Sequence, residues 1–441
     1  MNTYVIYAII TLSLSFAAKL HPLFQDSNYH LFFTFFMFFN CFVIERYFKA
    51  IKKILLINSV LYLILLLVFY GTNFSVNRMG FFPNADDSFF YSQGLNLFSD
   101  EYSYSSPFDI ILYVLIRFGA NDALAASAYN WSLSTVLLGL IYKLSKIINS
   151  NFNKYFLYFL SLNYFFIESS ILLFRDITGL TLLICALILV SLNQRKFIVF
   201  SFLAMQIRVM TGAFAIIYYL LSSTGILTTK YKGRSVVILF FFILAYTFYA
   251  YIPLAFINYI SAETEISGSL SDINQQRVEM LSDLSSSDIT SKLMNLGLLG
   301  IPFVLLINIL TPLRFVELFS DISYTFRLND NIINLTAYNI LNYKGVLSII
   351  HISSLCFWLL PFFNGFYNLI KSKKSYIVYY FIIALFIVSY VSFQPRHKLH
   401  FLLLIPIICS FTKLKTKNII IIGLVSNFFI LSLYILTTIV S

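Results

Sequence analysis

Apolar runs close to 20 residues long recur along the whole chain, and few charged residues interrupt them. In helical form a run of that length covers the roughly 30 Å hydrocarbon core of a bilayer. Of the 441 residues, 59% are hydrophobic and 11% are charged, against about 45–50% and about 25% in soluble domains. A soluble chain of this size needs many more polar side chains to cover its surface, which excludes a soluble enzyme and a disordered chain. The net charge of +11 does not indicate a nucleic-acid partner, because the basic residues form short clusters between apolar runs. The expected fold is all-α: one polytopic integral membrane domain over 1–441, with about 10 to 13 transmembrane or re-entrant helices and a cavity on the outer face.

Orientation follows from the basic clusters. Arg46/Lys49/Lys52/Lys53, Lys143/Lys146/Lys154, Arg195/Lys196, Lys230/Lys232/Arg234, Lys371/Lys373/Lys374 and Lys413/Lys415/Lys417 together hold 18 of the 30 Lys and Arg residues. Of the 19 acids, Glu45 alone accompanies them. Such loops face the cytoplasm, which puts the N-terminus inside and the C-terminus outside. Residues 3–18 lack a basic leader and read as the first span. Further spans are expected at 31–45, 54–71, 123–142, 155–173, 177–194, 235–258, 346–369, 376–393, 399–412 and 418–438. Outer segments are expected at 72–122, 259–292 and 312–345. The second of these, rich in Ser and acids, suits a mobile surface loop. Cys41, Cys185, Cys356 and Cys409 each lie inside an apolar run, as small core residues do.

Two stretches break the alternation. Residues 197–222 join two loops that both read as inside, so they require a pair of short half-helices meeting near Arg208. Residues 293–311 join two segments that both read as outside, so they should be re-entrant or interfacial. Irregular backbone at membrane depth persists only against protein or a water-filled cavity.

Charges inside or beside apolar runs are costly and are usually paired or functional. Here these are Glu168, Arg175, Asp176, Arg208, Arg314, Arg327, Arg396, His397, Lys398 and His400. Arg175-Asp176 has almost no loop around it and reads as a salt-bridged turn or as an arginine aimed into the cavity. Adjacent helix residues do not face each other, so Asp176 should pair with some other cation. Arg208 needs an anionic partner; a bound anionic ligand is the expected one, and an acid of the chain is the alternative. The run Gln394-Pro395-Arg396-His397-Lys398-Leu399-His400 places basic groups on the outer face, against the bias of the other loops. Guanidinium groups grip phosphate oxygens in pairs and a lysine adds a point charge, so the natural ligands are a pyrophosphate on a lipid carrier or an anionic lipid headgroup. Asp86-Asp87, followed by Phe89-Phe90-Tyr91, suits sugar recognition. Carboxylates accept hydroxyl hydrogen bonds, one with a raised pKa can act as a base, and a pair can also hold a divalent metal.

With about a dozen expected spans, large outer segments and arginines near the outer face, the chain resembles the Wzy-type polymerases of bacterial O-antigen and capsule. Locally, Asp86-Asp87 with Phe90 or Tyr91 is similar to the acidic pair of GT-C membrane glycosyltransferases, a more distant likeness. The Wzy resemblance implies an enzyme of the bacterial inner membrane. It moves a glycan on undecaprenyl pyrophosphate onto another lipid-linked repeat unit at the periplasmic face, alongside a chain-length regulator protein. In that setting Asp86 or Asp87 would orient or deprotonate the acceptor hydroxyl. Arg208, Arg396 and Lys398, assisted by Arg175, would stabilise the departing pyrophosphate. Asp176, His397, His400, Tyr91, Arg314 and Arg327 are further expected contacts to the substrate. No cofactor is expected; a metal belongs only to the alternative, a GT-C transferase moving one sugar from a polyprenyl phosphate. A flippase of lipid-linked sugars is the third reading.

Overall fold

The computed structural model describes residues 3–20, 27–72, 75–77, 80–82, 85–98, 106–223, 301–310, 319–328, 331–341, 343–391 and 395–440. The span expected at 235–258, the loop 259–292, the cluster Lys230/Lys232/Arg234, residues 293–300 and Arg314 lie outside them. In chain order the first helices are α1 (Thr3–Ala18), α2 (Tyr29–Tyr47) and α3 (Lys52–Thr72). A short hairpin, β1 (Ser75–Asn77) and β2 (Gly80–Phe82), then leads to α4 (Ala85–Leu95) and α5 (Pro107–Arg117). Next come α6 (Ala123–Ile148), α7 (Leu157–Ser161), α8 (Tyr164–Ile171), α9 (Asp176–Ser191), α10 (Phe197–Ile207) and α11 (Val209–Ser223). The later elements are α12 (Ile301–Leu310), strands β3 (Phe319–Leu328) and β4 (Asn331–Leu341), α13 (Tyr343–Ile370) and α14 (Tyr376–Val391). A 3-10 turn at Pro395–Lys398 precedes α15 (Leu399–Leu402), α16 (Ile405–Cys409) and α17 (Thr416–Val440).

The described residues are mainly helical, as expected, and depart from all-α in two antiparallel hairpins within 72–122 and 312–345, the longer pairing Phe319 with Leu341 and Leu328 with Asn331. Among the described residues three helices are long and apolar enough to cross a membrane: Lys49–Tyr70, Ala123–Ile148 and Lys344–Ile370. The bent pair α8–α9 makes a fourth if it counts as one span, and six shorter apolar helices of 10–17 residues accompany them.

Helix α6 is the central post. Asp122 caps its start by accepting from the Ala125 amide at 2.8 Å, which satisfies one of the open N–H groups of a first turn. Its buried face carries Trp131, whose indole N–H donates to the Ser59 carbonyl at 2.7 Å, and Ser132, which donates to Asn40 Oδ1 at 2.7 Å. Tyr7 and Ser59 share a hydrogen bond of 2.9 Å. Buried polar groups of α1, α2, α3 and α6 thus find one another, where unpaired they would each be costly.

These contacts bring five of the six basic clusters to one end of the bundle. Helices α2 and α6 run side by side in the same direction, with Phe36 against Tyr129 and Phe48 packed at Gly139. Tyr4, at the start of α1, donates to Glu45 at the end of α2. Asn149 donates to the Ser410 carbonyl at 3.0 Å, and Lys374 reaches the Ile148 carbonyl. Tyr218 packs on Tyr376 and shares a 3.0 Å hydrogen bond with Ser191, adding the Arg195/Lys196 turn. The other end gathers Asn28, Tyr91, the Ser106–Asp109 capping box and the start of α6, tied by Asn28 N–H to Asn121 Oδ1 at 2.9 Å and Tyr91 hydroxyl to Ala120 carbonyl at 3.0 Å.

Helices α10 and α11 fold back on each other. The rings of Phe197 and Tyr219, at the two feet, stack at 4.6 Å, although 22 residues of continuous helix would separate them by about 33 Å. The chain reverses at Arg208, whose backbone is extended at φ −155°, ψ 124°. This is the position where the expected pair of half-helices meets. The close approach requires Gly212: a Cβ there would lie 2.4 Å from the Ser201 carbonyl oxygen and 2.8 Å from the Met205 nitrogen. At Gly365 a Cβ would lie 2.1 Å from the Ile408 carbonyl oxygen, where α13 crosses α16. Gly212→Ala and Gly365→Ala should each lower stability by about 1–3 kcal/mol, since backbone atoms, joined at Gly212 by the Met205 side chain, obstruct the added methyl. Thermal unfolding in detergent measures this, and Gly179→Ala is the milder control, its Cβ meeting Ile207 Cγ2 at 3.3 Å.

Candidate functional site

Helix α8 ends at Ile171 and α9 leaves at 113° to it. The break releases carbonyls that α8 cannot satisfy, and α6 supplies the donor. Both N–H groups of the Asn130 amide are used, one to the Leu172 carbonyl at 2.6 Å and one to the Phe174 carbonyl at 2.8 Å. Tyr129 and Thr178 share a 3.3 Å hydrogen bond beside it. Asn130 lies seven residues into α6, so the break sits about 10 Å from the non-basic end of that helix.

The break presents Arg175 and Asp176, and the tip of the α10–α11 hairpin presents Arg208. Arg208 Nε stands 3.2 Å from Asp176 Oδ1, and the two residues are 5% and 3% exposed. Asp176 is therefore an anionic partner of Arg208, and Arg208 a cationic partner of Asp176 that stands far from it in sequence. Each charge also suits its helix end. Asp176 stands in the first turn of α9, where amide dipoles favour an anion, and Arg208 caps the C-terminus of α10, where carbonyls favour a cation.

The 395–400 run docks on the same tip. His400 Nε2 accepts from the Thr211 hydroxyl at 2.8 Å, and its Nδ1–H donates to the His397 carbonyl at 2.7 Å. A carbonyl can only accept, so the proton of this neutral ring is on Nδ1. Phe214 packs on the His400 ring at 5.1 Å. His397 is buried, and the Lys398 ammonium lies 5.4 Å from the Phe165 ring centre on α8. The Arg175 guanidinium lies 5.8 Å from the Phe90 ring centre on α4. Phe90 is one turn along the helix that Asp86 and Asp87 begin. For Asp86, Asp87, Arg327 and Arg396 the backbone is described and the side chains lie outside the description.

So Arg175, Asp176, Arg208, His397, Lys398 and His400 converge from three separated segments, with the helix bearing Asp86 and Asp87 next to them. Two further expected contacts have positions of their own. Tyr91 is buried, and its hydroxyl fastens α4 to the turn before α6. Arg327 sits near the tip of the long hairpin, paired with Ile332 in register. Asn130, Thr211 and Phe165 are contributors that the sequence reading missed. Asn130 carried a usable signal, an amide within an otherwise small and apolar helical run; Thr211 and Phe165 carried none. Among the described residues no three His, Cys, Asp or Glu side chains come together as a metal site.

The arrangement offers a buried guanidinium ordered by Asp176, with the half-buried Arg175 and Lys398 on adjoining elements, which suits stabilisation of a phosphate or pyrophosphate. Comparison of the chain with protein-family models, curated proteins and solved structures finds no match. Removing one member of the buried pair leaves its partner's charge uncompensated. Arg208→Ala should therefore cost about 3–5 kcal/mol, and the double change Asp176→Asn with Arg208→Gln should recover much of that loss. Thermal unfolding of the purified variants in detergent is the measurement.

Proposed function

We propose that this chain is a polytopic enzyme of the bacterial inner membrane that polymerises oligosaccharide repeat units carried on undecaprenyl pyrophosphate. The observation that carries the reading is the meeting of Arg208 with Asp176, next in sequence to Arg175, with His400 docked on the same tip through Thr211 and Lys398 set against α8, nearer the non-basic end of the bundle. Exposed apolar faces support the membrane setting. Leu31, Phe35, Phe38 and Phe42 line one side of α2, Ile198, Val199 and Phe202 line α10, and Leu424, Phe428 and Phe429 line α17. Contiguous surfaces of this kind are stable against lipid and not against water. The basic end then faces the cytoplasm, and the charge cluster opens toward the periplasm.

In the reaction, a hydroxyl of the acceptor sugar attacks the anomeric carbon of the donor glycan. The bond from that carbon to the pyrophosphate oxygen breaks, and its electron pair leaves on the phosphate. Arg208, Arg396 and Lys398 stabilise the developing charge, with Arg175 at the α4 side. Asp86 or Asp87 orients the hydroxyl or takes its proton.

Three outcomes are expected. Arg208→Lys should accumulate in the membrane and lose polymer about 100-fold or more, because an ammonium cannot hold two oxygens as a guanidinium does. The charge-neutral pair Asp176→Asn with Arg208→Gln should remain folded and be inactive, which separates the structural role of the pair from its chemical one. On purified lipid-linked repeat units the product should be a ladder that persists in EDTA, with Asp86→Asn and Asp87→Asn unequal in effect. A single shifted species that vanishes with EDTA, with both Asn variants dead, would instead indicate a metal-assisted transferase of one sugar. Movement of the lipid without a new glycosidic bond would indicate a flippase.

A further inference from the structure

His351 lies in α13, is 0% exposed, and takes no part in the chemistry above. It joins three elements. Its Nδ1 lies 3.4 Å from both the Tyr164 backbone nitrogen and the Asn163 side-chain nitrogen, at the first turn of α8. Its Nε2 lies 3.3 Å from the Leu310 carbonyl, at the end of α12. The roles are forced: a backbone N–H can only donate, so Nδ1 accepts, and a carbonyl can only accept, so Nε2 carries the proton. Asn163 continues the chain of contacts, since its Oδ1 accepts from the Phe165 amide at 3.0 Å and caps α8. Phe165 is the ring beneath the Lys398 ammonium.

We infer that His351 is a positioning residue: by holding the first turn of α8 it sets the place of Phe165, and through that ring the place of the Lys398 ammonium. A histidine serving only to fill space would not have both nitrogens aligned with groups of opposite hydrogen-bonding character on two other elements. A merely apolar residue of similar volume, such as leucine, fills the site and leaves the α8 amide and the Leu310 carbonyl without this partner. Asparagine retains an acceptor oxygen near the Nδ1 position and so retains the half of the linkage that points to Phe165. That Lys398 serves glycosyl transfer rests on the proposed function; the linkage from His351 to Lys398 does not.

The test is the rate at which Lys398 is acetylated by an amine-reactive ester on the purified full chain in detergent, read by peptide mass spectrometry. It needs no catalysis, so an inactive wild-type preparation would count against the polymerase reading and leave the linkage measurable. His351→Leu and Phe165→Leu should each raise the rate at Lys398 about two- to fivefold, the factor that corresponds to losing a cation–π contact. His351→Asn should stay near wild type. Lys374, at the opposite end of the bundle, should label equally in all variants and reports general loosening. Should His351→Leu fail to accumulate, Asn163→Ala replaces it and is expected to raise the rate in the same way. An unchanged Lys398 rate in His351→Leu or Asn163→Ala, equal rates in His351→Leu and His351→Asn, or a parallel rise at Lys374 would each overturn the inference.

Discussion

The buried ion pair between Arg208 and Asp176 is the constraint around which this molecule is arranged. Withdrawing two charges from water costs several kcal/mol each, and that cost is offset only when the partner is held in place. Holding it here takes two reversals of the chain, one at the α8–α9 break and one at the α10–α11 tip. Both reversals leave backbone groups unpaired, so further partners are required. Asn130 answers the first, donating to two carbonyls with one amide. Near the second, the Arg208 carbonyl accepts from Thr211 N–H at 3.0 Å, and the Thr211 hydroxyl draws the 395–400 run onto the tip through His400. The polar character of the site thus follows from stabilising the pair, and a phosphate-bearing ligand would meet a charge array already ordered before binding.

Some of this was legible in the residues alone. The reversal at Arg208 could be read because basic clusters flank 197–222 on both sides, and an even number of crossings is the one arrangement that satisfies both. The partner of Arg208 could not be read, because Asp176 lies 32 positions earlier and nothing in the intervening pattern marks the two as neighbours. The local rule that adjacent helix residues point apart did release Asp176 from Arg175, which left it seeking a distant cation. Tyr91 illustrates a related limit. An aromatic after an acidic pair reads as a sugar platform, while its buried hydroxyl is engaged by Ala120. The segment 312–345 was read only as an outer segment, and its hairpin went unseen although Ile322–Leu328 of β3 alternates apolar and polar residues, the period of a strand. Asn130 and His351 illustrate a broader limit. A lone polar residue in an apolar run announces that it has a partner without saying which element provides it.

The grouping of basic clusters has a separate origin from the site, yet the two are coupled. Helices α9, α10 and α11 all place one terminus among the basic turns, where Ser191, Phe197, Tyr218 and Tyr376 interlock. Anchored there, they extend toward the opposite end by their own lengths and stop short of it. The polar ends of these helices consequently lie inside the bundle rather than at its surface.

The hairpin therefore works as a ruler. With both feet fixed on one side, the depth and bearing of its arginine are set by the number of residues in α10, which is 11. One residue added to that helix would lift the tip by about 1.5 Å and turn the side chain by about 100°, away from Asp176. Substitutions along the outward face of α10, where Ile198, Val199 and Phe202 are exposed, change no such dimension. The segment should then tolerate wide variation in which apolar residues it uses and almost none in how many.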